Sequence, residues 1–215
     1  MRLKSINISD IKELEFNGRT VKSGIDKRPI EGSLELLKKG LVGDKQADPS
    51  VHGGLDKAIY AYTAEHYDYW QEKLGLKKLP YGQFGENFTV ESMGDREILI
   101  GDIYRVGGAL LQVTQPRVPC FKLGIRMNDP MFPAKFMKSG RYGFYLRVLE
   151  EGSVKAGDSI ELVEKSDSAM SVWEIMQIMH AGSNMNRNEI IKALAIEALS
   201  TDWRSEFEHK LSSLS

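Results

Sequence analysis

The run Asp102-Ile103-Tyr104-Arg105-Val106-Gly107-Gly108-Ala109-Leu110-Leu111-Gln112-Val113-Thr114-Gln115-Pro116-Arg117-Val118-Pro119-Cys120 reads as strand, turn, strand and a proline-braced exit. Two short apolar segments flank a Gly-Gly pair, the pattern of a β-hairpin with a tight turn. Pro116 cannot donate to a ladder, so the second strand is expected to end at Thr114 or Gln115. Pro116 and Pro119 stiffen the exit and hold Cys120 in a defined place beyond the strand. Arg117 and Lys122 flank the thiol with positive charge, which favours the thiolate needed for nucleophilic attack or metal ligation. A lone cysteine can also be a small buried hydrophobe; the fixed backbone and flanking cations tip the reading toward chemistry.

On both sides of this run the pattern stays strand-like as far as about Glu164. Leu3, Ile6 and Ile8 lie in a first short run and 58–62 in a compact buried one. Residues 143–149 and 159–163 supply further strands. Gly-Asp pairs recur at 43–44, 94–95, 101–102 and 157–158 and mark turns. Many short strands with such turns suggest a barrel or sandwich. One helix is expected within this region, capped by Thr63, carrying Tyr67, Trp70 and Leu74 on one face, and ended by Gly75. A further helical turn is expected from Ser33 to Lys39, ending at Gly40.

After about Ser166 the period changes to helical. Ser171 with Glu174 makes a capping box ahead of Ile175, Met176 and Met179. Asn186 with Glu189 opens a second helix, and Asp202 a third, with Trp203, Phe207 and Leu211 at i, i+4, i+8 and a Glu206–Lys210 pair outside. None can bury its apolar face alone, so the three should pack as a bundle, structural or partner-binding in role. The expected division is 1–165 for the strand-rich domain and 166–215 for the helical one.

The chain has 215 residues, 29 basic and 30 acidic, for a net charge of -1. No global positive field exists to draw in nucleic acid or an acidic membrane, so any anion site must be local. The single cysteine excludes an intramolecular disulfide and a cysteine-rich zinc site. Met1 to Asn7 alternates charge and apolarity with no apolar run behind it. That argues against a signal peptide or spanning helix and makes a cytoplasmic location the expectation.

Three other stretches could carry chemistry. Gly43 to Lys57 is polar and bears glycines, with His52 before Gly53-Gly54. His52 could be a general acid or base, a hydrogen-bond partner to a ligand, or an ordinary loop histidine. Lys57 stands at the mouth of a buried strand. In 20–29, Lys22, Ser23, Lys27 and Arg28 surround Gly24, a loop able to hold a phosphate, or else a solvated hairpin tip. In 83–89, Glu86 and Asn87 sit between aromatics. Glu86 reads as structural; Asn87 stays open between structure and pocket.

Taken in order, Lys22-Ser23-Gly24-Ile25, Gly43-Asp44 through His52-Gly53-Gly54-Leu55-Asp56-Lys57-Ala58, Phe84-Gly85-Glu86-Asn87 and Gln115 through Leu123 resemble the MOSC-domain family. More narrowly they are similar to its YiiM-like group, which carries a C-terminal three-helix domain. The resemblance implies a mainly β fold, a MOSC-type β-barrel with a few helices, followed by a small three-helix bundle. It also implies a molybdenum cofactor (molybdopterin), with Cys120 as metal ligand and catalytic group and His52 beside it. Lys22, Ser23, Lys27, Arg28, Lys57, Asn87, Arg117 and Lys122 would lie around the cofactor. The implied activity is detoxifying reduction of N-hydroxylated compounds such as 6-N-hydroxylaminopurine, with electrons from a separate flavin-containing reductase. Whether the helical tail mediates a homodimer is left open. The alternative reading is a non-redox carrier of the cofactor or its sulfur, with a persulfide on Cys120. A cysteine hydrolase with His52 as base is disfavoured, because no third orienting residue is apparent and the basic loops go unexplained.

Overall fold

The computed structural model describes residues 1–16, 18–47, 53–168 and 170–214. Strand β1 (Arg2–Ile8) leads into the hairpin β2 (Lys12–Phe16) and β3 (Arg19–Ser23), then β4 (Arg28–Pro29), β5 (Ser33–Leu37) and β6 (Gly40–Leu41). A short 3-10 turn, Leu55–Lys57, opens onto β7 (Ile59–Thr63), helix α1 (Glu65–Leu74) and β8 (Phe88–Glu91). β9 (Ile103–Val106) and β10 (Ala109–Pro116) are followed by α2 (Phe121–Arg126) and α3 (Phe132–Ser139). The chain continues through β11 (Phe144–Glu150), β12 (Gly152–Lys155), β13 (Ile160–Glu164), α4 (Val172–Met179), α5 (Arg187–Leu194) and α6 (Thr201–Ser213).

Eight strands form one curled sheet in the order β13-β9-β10-β11-β7-β8-β1-β4, antiparallel except where β7 and β8 run parallel. β2–β3 and β12–β5–β6 are separate small sheets. The order has two ends, so the closed barrel expected from the sequence is not present as a continuous ladder. The start of β1 meets the approach to β13 through the Arg2–Ser159 bridge and the Ile160 N–H donating to the Met1 carbonyl at 3.0 Å. The fold is sheet-dominant and mixed, with several helices and a C-terminal helical region.

The β9–β10 hairpin forms where the Gly107-Gly108 pair places it, with Ala109 opposite Val106. Its second strand runs farther than the proline suggested, since Pro116 lies opposite Phe144. The missing donor falls at the strand's last residue, and the Arg117 N–H resumes bonding to the Gly143 carbonyl at 3.1 Å. The segment 33–39 is not helical. Leu34 and Leu36 alternate with exposed neighbours, and β5 pairs with β12, an extended option that equally satisfies this short apolar run.

α1 is capped backbone-only at Ala64 rather than by Thr63, whose hydroxyl instead bonds Glu65, and Gly75 closes its C-terminus. α2 and α3 also lie in the strand-rich region, where one helix was expected. The capping box at Ser171 is complete, and Asn186 caps α5. α6 is capped two residues earlier than Asp202 suggested: Ser200 is the cap, its hydroxyl accepting from the Trp203 N–H at 3.3 Å.

One apolar core joins both halves. Leu3, Ile6, Val113 and Phe144 from the sheet pack in the same cluster as Ile175, Met176, Ile190 and Phe207 from the helices. A second, aromatic cluster of Tyr60, Tyr62, Tyr67, Trp70, Phe84, Phe132 and Phe136 lies on the other side of the sheet, under α1–α3. The Gly-Asp turn signals become loop ties: Asp95 accepts from the Tyr142 and Gly143 N–H groups, and Asp102 from those of Leu99 and Ser166. Among the described residues, no helix is long and apolar enough to cross a membrane.

Candidate functional site

The exit of β10 positions the centre of the site. Gln115 and Arg117 are buried, Val118 turns outward, and Cys120, half-buried, stands at the start of α2. Arg117 crosses the aromatic cluster, its guanidinium 5.1 Å from the Tyr60 ring centre and 5.2 Å from that of Phe136. Its Nη2 donates to the Phe84 carbonyl at 3.4 Å, while Nη1 is buried with no hydrogen-bond partner among the described residues. Burial opposes charge on this guanidinium, but Tyr60, Tyr145, Cys120 and Tyr62 outweigh it and hold the proton more tightly than usual. Burial pushes the Tyr60 and Tyr145 phenols above their ordinary range against the pull of Arg117, so both stay neutral.

The roof of the cavity is the segment 23–27 with the loop 45–47. An added Cβ on Gly24 would sit 2.2 Å from the Lys45 carbonyl oxygen, so only glycine lets these two segments touch. Ser23 accepts from the Ile25 N–H at 3.2 Å. Lys27 is buried and locked to Asp44, its ammonium 2.5 and 2.6 Å from the two carboxylate oxygens. Burial pulls its pKa down; Asp44, then Glu86, oppose that. Asn87 joins the same tie, donating to Asp44 Oδ2 at 2.8 Å and accepting from the Tyr60 N–H at 3.2 Å. Glu86 is structural as expected: wholly buried, it accepts from the Gly82 N–H at 2.7 Å, the Phe84 N–H at 3.2 Å and the Thr89 hydroxyl at 2.9 Å.

These elements enclose a cavity of about 100 Å³. Of the residues singled out from sequence, Ser23, Lys27, Lys57, Asn87, Arg117, Cys120 and Lys122 line it together. Lys22, exposed on β3, and Arg28, exposed on β4 and paired with Asp26 at 3.2 Å, do not. His52 lies outside the described residues. Sequence reasoning missed Lys45, Tyr60 and Tyr145 as lining groups. Lys45 stood within a stretch already marked as polar and glycine-bearing. Tyr145 had no local signal, because it reaches the cavity through its pairing opposite Tyr60 on the neighbouring strand. A larger cleft of about 1230 Å³ lies between the C-terminal helices and Glu164, Ser166, Asp167, Ser168 and Met170. Among the described residues that line it there is no cysteine or histidine, and the lining Lys192 is exposed.

The arrangement brings cationic donors for an anion and a soft sulfur donor into one cavity. An unmet buried guanidinium donor, with Lys57 and Lys122 in the same wall, calls for a phosphate-like group. The Cys120 sulfur is a soft donor. Among the described residues no group of three or more histidine, cysteine or carboxylate side chains is placed to hold a metal.

The chain matches the MOSC domain over residues 48–161 and the YiiM-like, 3-alpha helix domain over residues 170–214. It is 38% identical over 206 residues to the uncharacterized protein YflK of Bacillus subtilis, covering 96% of this chain and 92% of that one. Over 147 residues it is 38% identical to protein YiiM of Escherichia coli, covering 66% of this chain and 65% of that one. A protein of Gibberella moniliformis named reductase is 35% identical over 167 residues, 76% of this chain but only 30% of that protein's length. Crystal structures of YiiM from Geobacillus stearothermophilus (35% identical, TM-score 0.83, covering 98% of both chains) and from Escherichia coli (26% identical, TM-score 0.79, covering 100% of this chain and 94% of that one) share the fold. The chain belongs to the MOSC domain family and carries, behind that domain, the YiiM-like three-helix domain.

Proposed function

We propose that this protein is a molybdenum-cofactor-dependent reductase of N-hydroxylated compounds, with hydroxylaminopurines as the reference substrate class and Cys120 as the protein ligand to the metal. MOSC domains are associated with molybdenum cofactor binding in general. The observation that carries the reading is the pairing of an accessible thiol with a buried guanidinium whose Nη1 has no partner among the described residues, in one cavity. The residues fit such a group. Cys120 would supply a sulfur donor, Arg117 a positive charge close to that sulfur, and Lys57 and Lys122 further positive charge for the anionic part of the group, while the close approach of Gly24 to Lys45 shapes the wall. The enclosed part is smaller than the roughly 300 to 1,000 Å³ of ordinary cofactor pockets. The residues that would hold the group are those lining this cavity, among them Lys45, Lys57, Arg117, Cys120 and Lys122.

When bound, the cofactor supplies the two-electron chemistry that breaks an N–O bond, turning R–NH–OH, two electrons and two protons into R–NH2 and water. The protein's own part is position and charge. Arg117 stabilises negative charge beside the sulfur. Tyr145, kept neutral by burial, presents a phenol at the same cavity wall. A separate flavin-containing reductase delivers the electrons. The experiment is purification from a host that makes the cofactor, followed by turnover of 6-N-hydroxylaminopurine with such a donor. Wild type turns over and Cys120→Ser does not. A persulfide on Cys120 with no turnover under any donor would support the carrier reading instead.

A further inference from the structure

Lys57 lines the cavity, yet a group that holds it comes from the far end of the chain. Its ammonium donates to Asp202 Oδ2 at 2.5 Å, with 12% of the lysine side chain exposed against 66% of the aspartate. Asp202 lies in the first turn of α6, and the same turn grips the neighbouring residue. Asp56 Oδ2 accepts from the Thr201 N–H at 3.0 Å, one of the donors a helix start leaves unpaired. Asp56 Oδ1 pairs with Arg147 at 2.9 Å, and Arg147 donates to the Ala198 carbonyl at 2.9 Å. Thr114 closes the ring: its hydroxyl donates to the Asp56 carbonyl at 2.7 Å, and its own carbonyl accepts from the Ser200 N–H at 3.2 Å. The start of α6, the 3-10 turn 55–57 and the strand that ends in Arg117 are thus one hydrogen-bonded unit.

We infer that Asp202 is a positioning residue for Lys57, so that the three-helix region completes the cationic wall of the cofactor cavity. The inference rests on the reading of that cavity given above and extends it to a residue of the helical domain. A lysine ammonium on a four-carbon stem points nowhere in particular unless something fixes it, and ordering that stem costs entropy. Asp202, carried on a helix anchored by Trp203 and Phe207 in the core, fixes it. The carboxylate is mostly solvent-facing, so water screens the pair and the lysine charge is only partly offset.

Two readouts on the full-length protein test this. The first is the rate at which molybdenum leaves the holoprotein on dialysis, for wild type, Asp202→Asn, Asp202→Glu, Lys57→Met and the Lys57→Met/Asp202→Asn double variant. Asp202→Asn and Lys57→Met are each expected to release metal about three- to fivefold faster, the range a partly exposed ion pair supports. The double variant should be no faster than Lys57→Met, and Asp202→Glu should stay near wild type. Retention by Asp202→Asn equal to or better than wild type, or additive effects in the double variant, overturns the proposal. The second readout is acylation of Lys57 in cofactor-free protein, followed by mass spectrometry. Asp202→Asn should label several-fold faster, and equal labelling overturns the proposal. If wild type carries no molybdenum the cofactor reading fails by itself, while the labelling result still decides whether Asp202 holds Lys57.

Discussion

Arg117 concentrates the cost of this site in a single side chain. Removing a guanidinium from water is expensive, and among the described residues no carboxylate pairs with it. Its neighbours are the faces of Tyr60 and Phe136, worth up to about 2 kcal/mol where desolvated, the Phe84 carbonyl through one long bond, and the Tyr145 phenol. That leaves a net positive group looking for an anion, whereas Lys27, equally buried, has spent its charge on Asp44. Just outside the cavity Asp26 balances Lys12, Arg28 and Arg126. Burial works to raise the Asp26 pKa, but Lys12, Arg126 and Arg28 together hold it below the ordinary aspartate value. A carboxylate with a depressed folded pKa adds stability that is fully present above its unfolded value and is lost as pH falls through the folded one. The gap in melting temperature between wild type and Asp26→Asn should therefore be full at pH 5 and close on acidification below the usual aspartate range. A gap that widens toward low pH contradicts the assignment.

Among the elements, the β9–β10 hairpin and its proline-braced exit were legible because every signal was local: a Gly-Gly turn, alternating strands and two prolines. Cys120 and Arg117 came with it. The α4–α6 helices were legible for the same reason, through Ser171 with Glu174 and the i, i+4 spacing of Trp203 and Phe207. Ser33 to Lys39 was misread because Leu34, Leu36 and Leu37 suit either period over so short a span, and only pairing with β12 decides it. α3 was missed although Phe132 and Phe136 stand at i, i+4 behind a first-turn Pro133 and ahead of Gly140, while α2 is too short to show a stripe, its buried positions being Leu123 and Gly124. The cavity needed tertiary knowledge too: Tyr145 meets Tyr60 across strands, and Lys45 meets Gly24 across loops. That last contact makes a direct prediction. Gly24→Ala must push the Lys45 carbonyl aside, and it should lower stability by about 1–3 kcal/mol in urea unfolding. A neutral result would mean the two cavity-lining segments are not held as close as described.

The whole molecule has a division of labour without a division of core. The aromatic cluster supports the cavity from below, the curled sheet carries the chain from one wall to the other, and the helices share the sheet's apolar core while reaching Lys57 through Asp202. The function proposed above turns on the sulfur of Cys120 as a ligand to metal. The most direct test is X-ray absorption at the molybdenum edge on holo wild type and Cys120→Ser, the variant being reconstituted with cofactor where it purifies empty. The account predicts that wild type shows one more sulfur neighbour at the metal than the variant does. An identical sulfur count in the two proteins, each carrying molybdenum, would contradict it.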